Sequence, residues 1–284
     1  MNRAKPASGQ ARPLRIAALV GAAVLLTGTF AYLRFPYDRL AASISARLDD
    51  AGIRVEIGSL HASPTLAGPG LAAEDLRVTR PDGTVLRIDS LQVRPAWSLS
   101  WLTLRPALHL RLRSPQGELE GVAVLWGPQR FSGEIREVDL NELLGADMLA
   151  GARLEGHASF DVDVALEESG PTGPVHISAK DGVLSHPQIP MAIPYQELHG
   201  DLALGGDNYL QISDFQVSSP LGTGSLRGTV GRAPDPRQAP LDLELAVQVA
   251  QAVRGSLTSQ GVRVGRDGEL HYKISGTAAA PIVR

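Results

Sequence analysis

The sequence predicts a mainly β protein: an N-terminal transmembrane helix and a short amphipathic helix, then a long curved antiparallel sheet shaped as a trough or a sandwich. Three observations lead there. One uncharged run, Ile16 to Leu33, stands near the N-terminus. Past Gly52 the apolar residues recur at every second position instead of every third or fourth. The composition, with 30 Gly, 20 Pro and only 5% aromatic residues in 284, fits many turns and a core of Leu, Val, Ile and Ala.

The uncharged run IAALVGAAVLLTGTFAYL has eighteen residues, and as a helix it spans roughly 27 Å, enough to cross a bilayer. Arg3, Lys5, Arg12 and Arg15 precede it with no acidic residue among them, which holds residues 1–15 in the cytoplasm and sends the rest across. The expected anchor is 16–33, with Ile16, Leu19, Val20, Val24, Leu25, Leu26, Phe30 and Leu33 facing lipid. Phe30 and Tyr32 suit the far interface, and Arg34 can reach the head groups. The competing reading is a cleaved signal peptide, which wants a small-x-small site. Its best candidate, Thr29-Phe30-Ala31, lacks the ideal small residue at the first position.

Residues 34–52 follow. In YDRLAASISARLDDAGI the residues Leu40, Ile44 and Leu48 recur at i, i+4 and i+8, Pro36 opens the helix and Gly52 ends it. Pro36, Tyr37, Leu40, Ile44 and Leu48 are the expected juxtamembrane docking residues. Such a stripe packs on its own sheet, on a partner helix or on the bilayer surface.

Residues 53–284 read as one β domain on the far side of the membrane. In LEGHASFDVDVAL the set Leu154, Gly156, Ala158, Phe160, Val162, Val164 and Leu166 alternates with Glu155, His157, Ser159, Asp161 and Asp163. LDLELAVQV does the same with Leu241, Leu243, Leu245, Val247 and Val249. A one-sided apolar interior follows, and Leu154, Phe160, Val162, Val164, Leu241, Leu243 and Leu245 are its candidate groove residues. Turns are expected at Pro81-Asp82-Gly83, Ser114 to Gly117, Gly170 to Pro174, Gly205 to Asn208 and Arg266 to Gly268, and a loop at 234–240. A phase slip in YLQISDFQV predicts a bulge at Ser213-Asp214, and LRIDSLQV slips between Ile88 and Leu91. A second short helix is expected around 141–151.

Several function classes are disfavoured. A formal charge of -3 offers no basic surface for nucleic acid, and the absence of cysteine removes disulfides and thiolate chemistry. The seven histidines, at 61, 109, 157, 176, 186, 199 and 271, show no helical metal spacing. Gly222-Thr223-Gly224 with Gly228 has the wrong spacing for a dinucleotide loop, and Ser225 lacks the strand-turn-helix setting of a nucleophile elbow. Asp161 and Asp163 share a strand face about 7 Å apart, yet nothing near them would raise a pKa. No enzyme, metal or cofactor is expected.

The stretch FPYDRL directly after the anchor, followed by an amphipathic helix ending in AGIRVEIGSL, resembles the type II secretion system protein N (GspN) family. The segment GLAAEDLRVTRPDGTVLRIDSLQVRPAWSLSWLTLRPALHLRL looks like AsmA-type inner-membrane proteins, and the ending ELHYKISGTAAAPIV is similar to endings in both groups. The first resemblance implies an accessory component of the machine that moves folded proteins out of the periplasm, placed in the bacterial inner membrane beside other secretion proteins. The second implies a β trough that shields the acyl chains of phospholipid.

Overall fold

The computed structural model describes residues 11–284 apart from 51, 53, 66–67, 80–84, 97–105, 125–126, 142–152, 168–169, 186–191, 207, 260–264 and 266; residues 11–18, 236 and 256–259 are described by backbone alone. Two helices come first, α1 (Ala11–Leu33) and α2 (Tyr37–Asp50). Eleven strands follow: β1 (Arg54–Ala62), β2 (Leu71–Thr79), β3 (Val85–Pro95), β4 (Ala107–Ser114), β5 (Gly117–Val124), β6 (Gln129–Asp139), β7 (Arg153–Glu167), β8 (Gly170–Ser185), β9 (Ile193–Leu204), β10 (Asn208–Ser219) and β11 (Gly222–Gly231). A 3₁₀ turn at Pro236–Gln238 leads to β12 (Pro240–Val249), α3 (Gln251–Ser259), β13 (Glu269–Thr277) and β14 (Ala280–Val283).

The protein is mainly β, and its strands form one open sheet whose order is the chain order from β1 to β14. Every described pairing is antiparallel. Period-2 alternation separated by turns specifies this meander, because each strand finds its neighbour through the next hairpin. The chain divides into two compact units, Met1–Leu86 and Arg87–Arg284.

In the first unit, α2 packs on β1. The Pro36 carbonyl accepts from the N–H groups of Arg39 (3.1 Å) and Leu40 (3.4 Å), so Pro36 caps the helix. Asp38 in the first turn and Arg47 in the last suit the helix dipole. Gly52, at φ +80°, closes the helix with its N–H on the Asp49 carbonyl at 2.9 Å, as expected of a left-handed terminator. Among the described residues no single helix is long and apolar enough to cross a membrane, although Leu19–Leu33 and Tyr37–Asp50, bent by 59°, pass together.

In the second unit the core centres on Leu140, Ala158, Ala179, Tyr195 and Leu198, with Leu154, Phe160, Ile177, Phe215 and Val217 against it. The bulge expected at Ser213-Asp214 is present: between Ile212 and Phe215, β10 has one more residue than the facing stretch of β11. The burial of β3 changes phase between Ile88 and Leu91. Two further bulges carry Glu137 (φ +56°) and Asp181 (φ +51°).

One turn expectation is overturned. Gly170 to Pro174 is strand, not turn, since β8 begins at Gly170 opposite Glu167 and runs through both prolines. Pairing with β7 on one side and β9 on the other outweighs the local turn preference. The turns at 115–116, 205–206 and 267–268 and the loop before β12 are found where expected. Pro81-Asp82-Gly83, most of the 141–151 segment, Asp207, Arg266, His186 and residues 1–10 lie outside the described residues.

Candidate functional site

The second unit carries one extended feature, an apolar sheet face. In an antiparallel ladder, residues directly opposite each other project to the same side. The pairings therefore trace a row across the strands: Val93, Leu110, Gly121, Gly133, Val162, Val175, Leu202, Ile212, Gly228, Leu243, Ile274 and Val283. Twelve strands contribute and none offers a polar side chain. At about 4.8 Å per strand the row runs roughly 50 Å along the sheet.

One residue along each strand, or two across the bulge of β10, the chemistry inverts. The neighbouring row reads Gln92, Arg111, Glu120, Glu134, Asp161, His176, Asp201 and Asp214, then Arg227, Glu244 and Lys273. Like charges face each other at Glu120, Glu134 and Asp161, which is unfavourable unless cations stand nearby. Arg111 lies 3.9 Å from Glu120, and Arg136 pairs with Glu134. Further pairs join Arg113 to Glu118 at 2.9 Å, His176 to Asp201 at 2.6 Å and Lys273 to Asp242 at 3.0 Å. This side is wet.

Glycines on the apolar face are roofed by rings. Tyr195 lies over Gly156 and Gly182 from neighbouring strands, and an added Cβ would come within 2.4 and 2.1 Å of its hydroxyl. That hydroxyl donates to the Glu155 carbonyl at 2.9 Å. Burial of Tyr195 pushes its pKa up. Phe131 covers Gly121 and Gly133 in the same way, and Phe215 covers Gly200. Near Phe131 a depression of about 330 Å³ opens among Ala123, Val164, Leu166 and Pro171. Arg130 stands at its rim, forked over Asp163 with Nε to Oδ1 at 2.6 Å. The guanidinium holds the Asp163 carboxyl below the usual carboxylate range.

The expected groove residues lie on this face. Leu243 is buried, and Leu154, Phe160, Val162, Val164, Leu241 and Leu245 are half-buried. Sequence reasoning did not find Tyr195, Phe131 and Phe215 as glycine covers, because which ring lies over which glycine depends mostly on the register of adjacent strands. It read LHLRLR as an alternating strand but named no groove residue on β4 or β5, whose Leu110, Leu112 and Leu119 continue the face.

The N-terminal residues occupy the first unit. Leu19, Val20, Val24, Leu25, Leu26, Phe30 and Leu33 are all exposed on α1, Leu25 at 72%; Ile16 lies in α1 with its side chain outside the described residues. Of the docking residues, Tyr37, Leu40 and Leu48 are half-buried, whereas Pro36 and Ile44 are exposed. Ala41 and Ser45 take part in the shielded side of α2 instead.

No family model, curated protein or solved structure matches this chain. Among the described residues no group of three or more His, Asp or Glu could hold a metal ion. His157, His176, His199 and His271 are exposed on the wet side. His109 is better shielded, and its pKa is lowered by burial first and by the Arg94 charge second, against the pull of Glu120 at 3.3 Å.

Proposed function

We propose that this chain is a non-enzymatic accessory component of the type II secretion machinery, anchored in the bacterial inner membrane by 16–33 with its β units in the periplasm. The observation that carries the reading is the junction FPYDRL. The residues that resemble the secretion family form a capped bend into α2, and α2 leaves Ile44 36% exposed between the half-buried Leu40 and Leu48. A docking helix needs such an unspent apolar position.

The test is co-purification of the full chain from bacterial membranes with the inner-membrane secretion assembly. Ile44→Asp is expected to abolish the association while leaving the melting temperature of the chain unchanged. Retained association, or a chain that no longer folds, would sink the reading.

A second reading, phospholipid binding, is favoured by one observation: the row from Val93 to Val283 without a polar side chain. Covering hydrocarbon contributes about 0.8 kcal/mol per methylene, so acyl chains are a fitting cover for a single-layer face of this kind. Lipid extraction and mass spectrometry of the full chain, washed extensively in detergent, tests it. Near-stoichiometric phospholipid supports this reading, and a lipid-free chain removes it.

A further inference from the structure

We infer that Tyr32 makes the joint after α1 a rigid strut, so that the direction of the apolar helix is fixed to β2 rather than free on a tether. The Tyr32 hydroxyl donates to the Gly70 carbonyl, and the Gly70 N–H donates back to the same hydroxyl at 3.0 Å. One side chain near the end of α1 thus takes both backbone groups of the residue just ahead of β2. The Tyr37 hydroxyl in turn donates to the Tyr32 carbonyl at 2.5 Å, and the two rings meet edge to face with centroids 6.4 Å apart. Phe35 packs against Tyr37 with the rings tilted by 59° and their centroids 5.3 Å apart. Gly70 is buried. The joint is therefore held at three points: the helix end, the bend and the strand.

The grip is on a loop that is closed without it. Ser63 N–H donates to the Gly70 carbonyl at 2.9 Å, and Thr65 and Gly68 exchange backbone bonds at 3.0 Å. Removing the Tyr32 hydroxyl therefore takes away the connection and leaves the loop its own bonds. A helix fixed in this way passes any tilt or rotation imposed on it in the bilayer to the start of β2. A free tether would absorb it.

The inference rests on the membrane reading of α1, and that is tested apart from it by alkaline carbonate extraction of the unsubstituted chain. Release from the membrane would overturn both. The joint itself is read by distance measurement between spin labels in lipid nanodiscs. The chain has no cysteine, so Gly28→Cys on α1, where a Cβ meets nothing within 4 Å, and Glu74→Cys, exposed on β2, give a clean labelled pair. A single narrow distance distribution is expected, and Tyr32→Phe should broaden it by about twofold or more. Unchanged melting with the broadened distribution would separate the joint from the fold. An unsubstituted chain already as broad as the Phe variant, or a Phe variant as narrow as the unsubstituted chain, would overturn the strut.

Discussion

At the scale of single residues, the tightest constraint is the roof that Tyr195 makes over Gly182 and Gly156. A Cβ on Gly182 would meet the Tyr195 hydroxyl at 2.1 Å and the Glu155 carbonyl at 2.2 Å, and neither can retreat without breaking the bond between them. Gly182→Ala should destabilise the chain by about 1–3 kcal/mol, the range for overpacking. Gly224→Ala is the control, since its nearest neighbour is 4.0 Å away; thermal melts of the two variants should differ clearly. His109 sets a pH dependence. Its folded pKa lies below its ordinary 6.5, chiefly through burial, so on acidification the unfolded chain takes the proton first. Stability from this group is full above pH 6.5 and falls as pH drops through 6.5 toward the folded value. His109→Gln should flatten the fall between pH 7.5 and 5.5, read as the difference in melting temperature between variant and unsubstituted chain. Of these residues, His109 was legible as a polar strand position, but its shielding was not, because Arg94 and Glu120 reach it through pairing and not through spacing.

At the scale of elements, period carried most of the information. The switch from helical spacing to alternation located α2 and the strands, and the slip between Ile212 and Phe215 located a bulge to the residue. A slip of the same kind in EIREVDL, from Ile135 to Val138, was overlooked, and it marks where β6 gains a residue on β7 and Glu137 sits at φ +56°. Gly170 to Pro174 misled in the other direction, because its turn residues were absorbed by a central strand. Glutamate pays a conformational cost in the left-handed region that glycine does not. Glu137→Gly should therefore hold or raise stability, by up to about 1 kcal/mol, while Glu137→Val lowers it. Equal losses in both variants, measured by urea unfolding, would mean that the bulge does not set the preference at this site.

At the scale of the whole molecule, alternation makes a face only if the register keeps every strand in phase. A one-residue slip anywhere would have sent Leu243 and Ile274 to the side of Glu244 and Lys273. The pairings hold phase from β3 to β14, with the bulges on β6, β8 and β10 taking up the extra residues. This continuity was not legible in the sequence, which shows each strand's pattern and not its alignment with the next. It yields a sharp expectation if acyl chains cover the face. A phospholipid carrying a photoactivatable group near the chain terminus should form adducts on Phe160, Leu226 and Leu245 and leave the wet-side neighbours Asp161, Arg227 and Glu244 unmodified. Leu245→Asp should cut labelling at Leu226, its direct cross-strand partner, whereas Glu244→Leu should not. Adducts spread evenly over both sides of β11 and β12 would mean that lipid meets the sheet only by collision, and the apolar face would then need a protein cover.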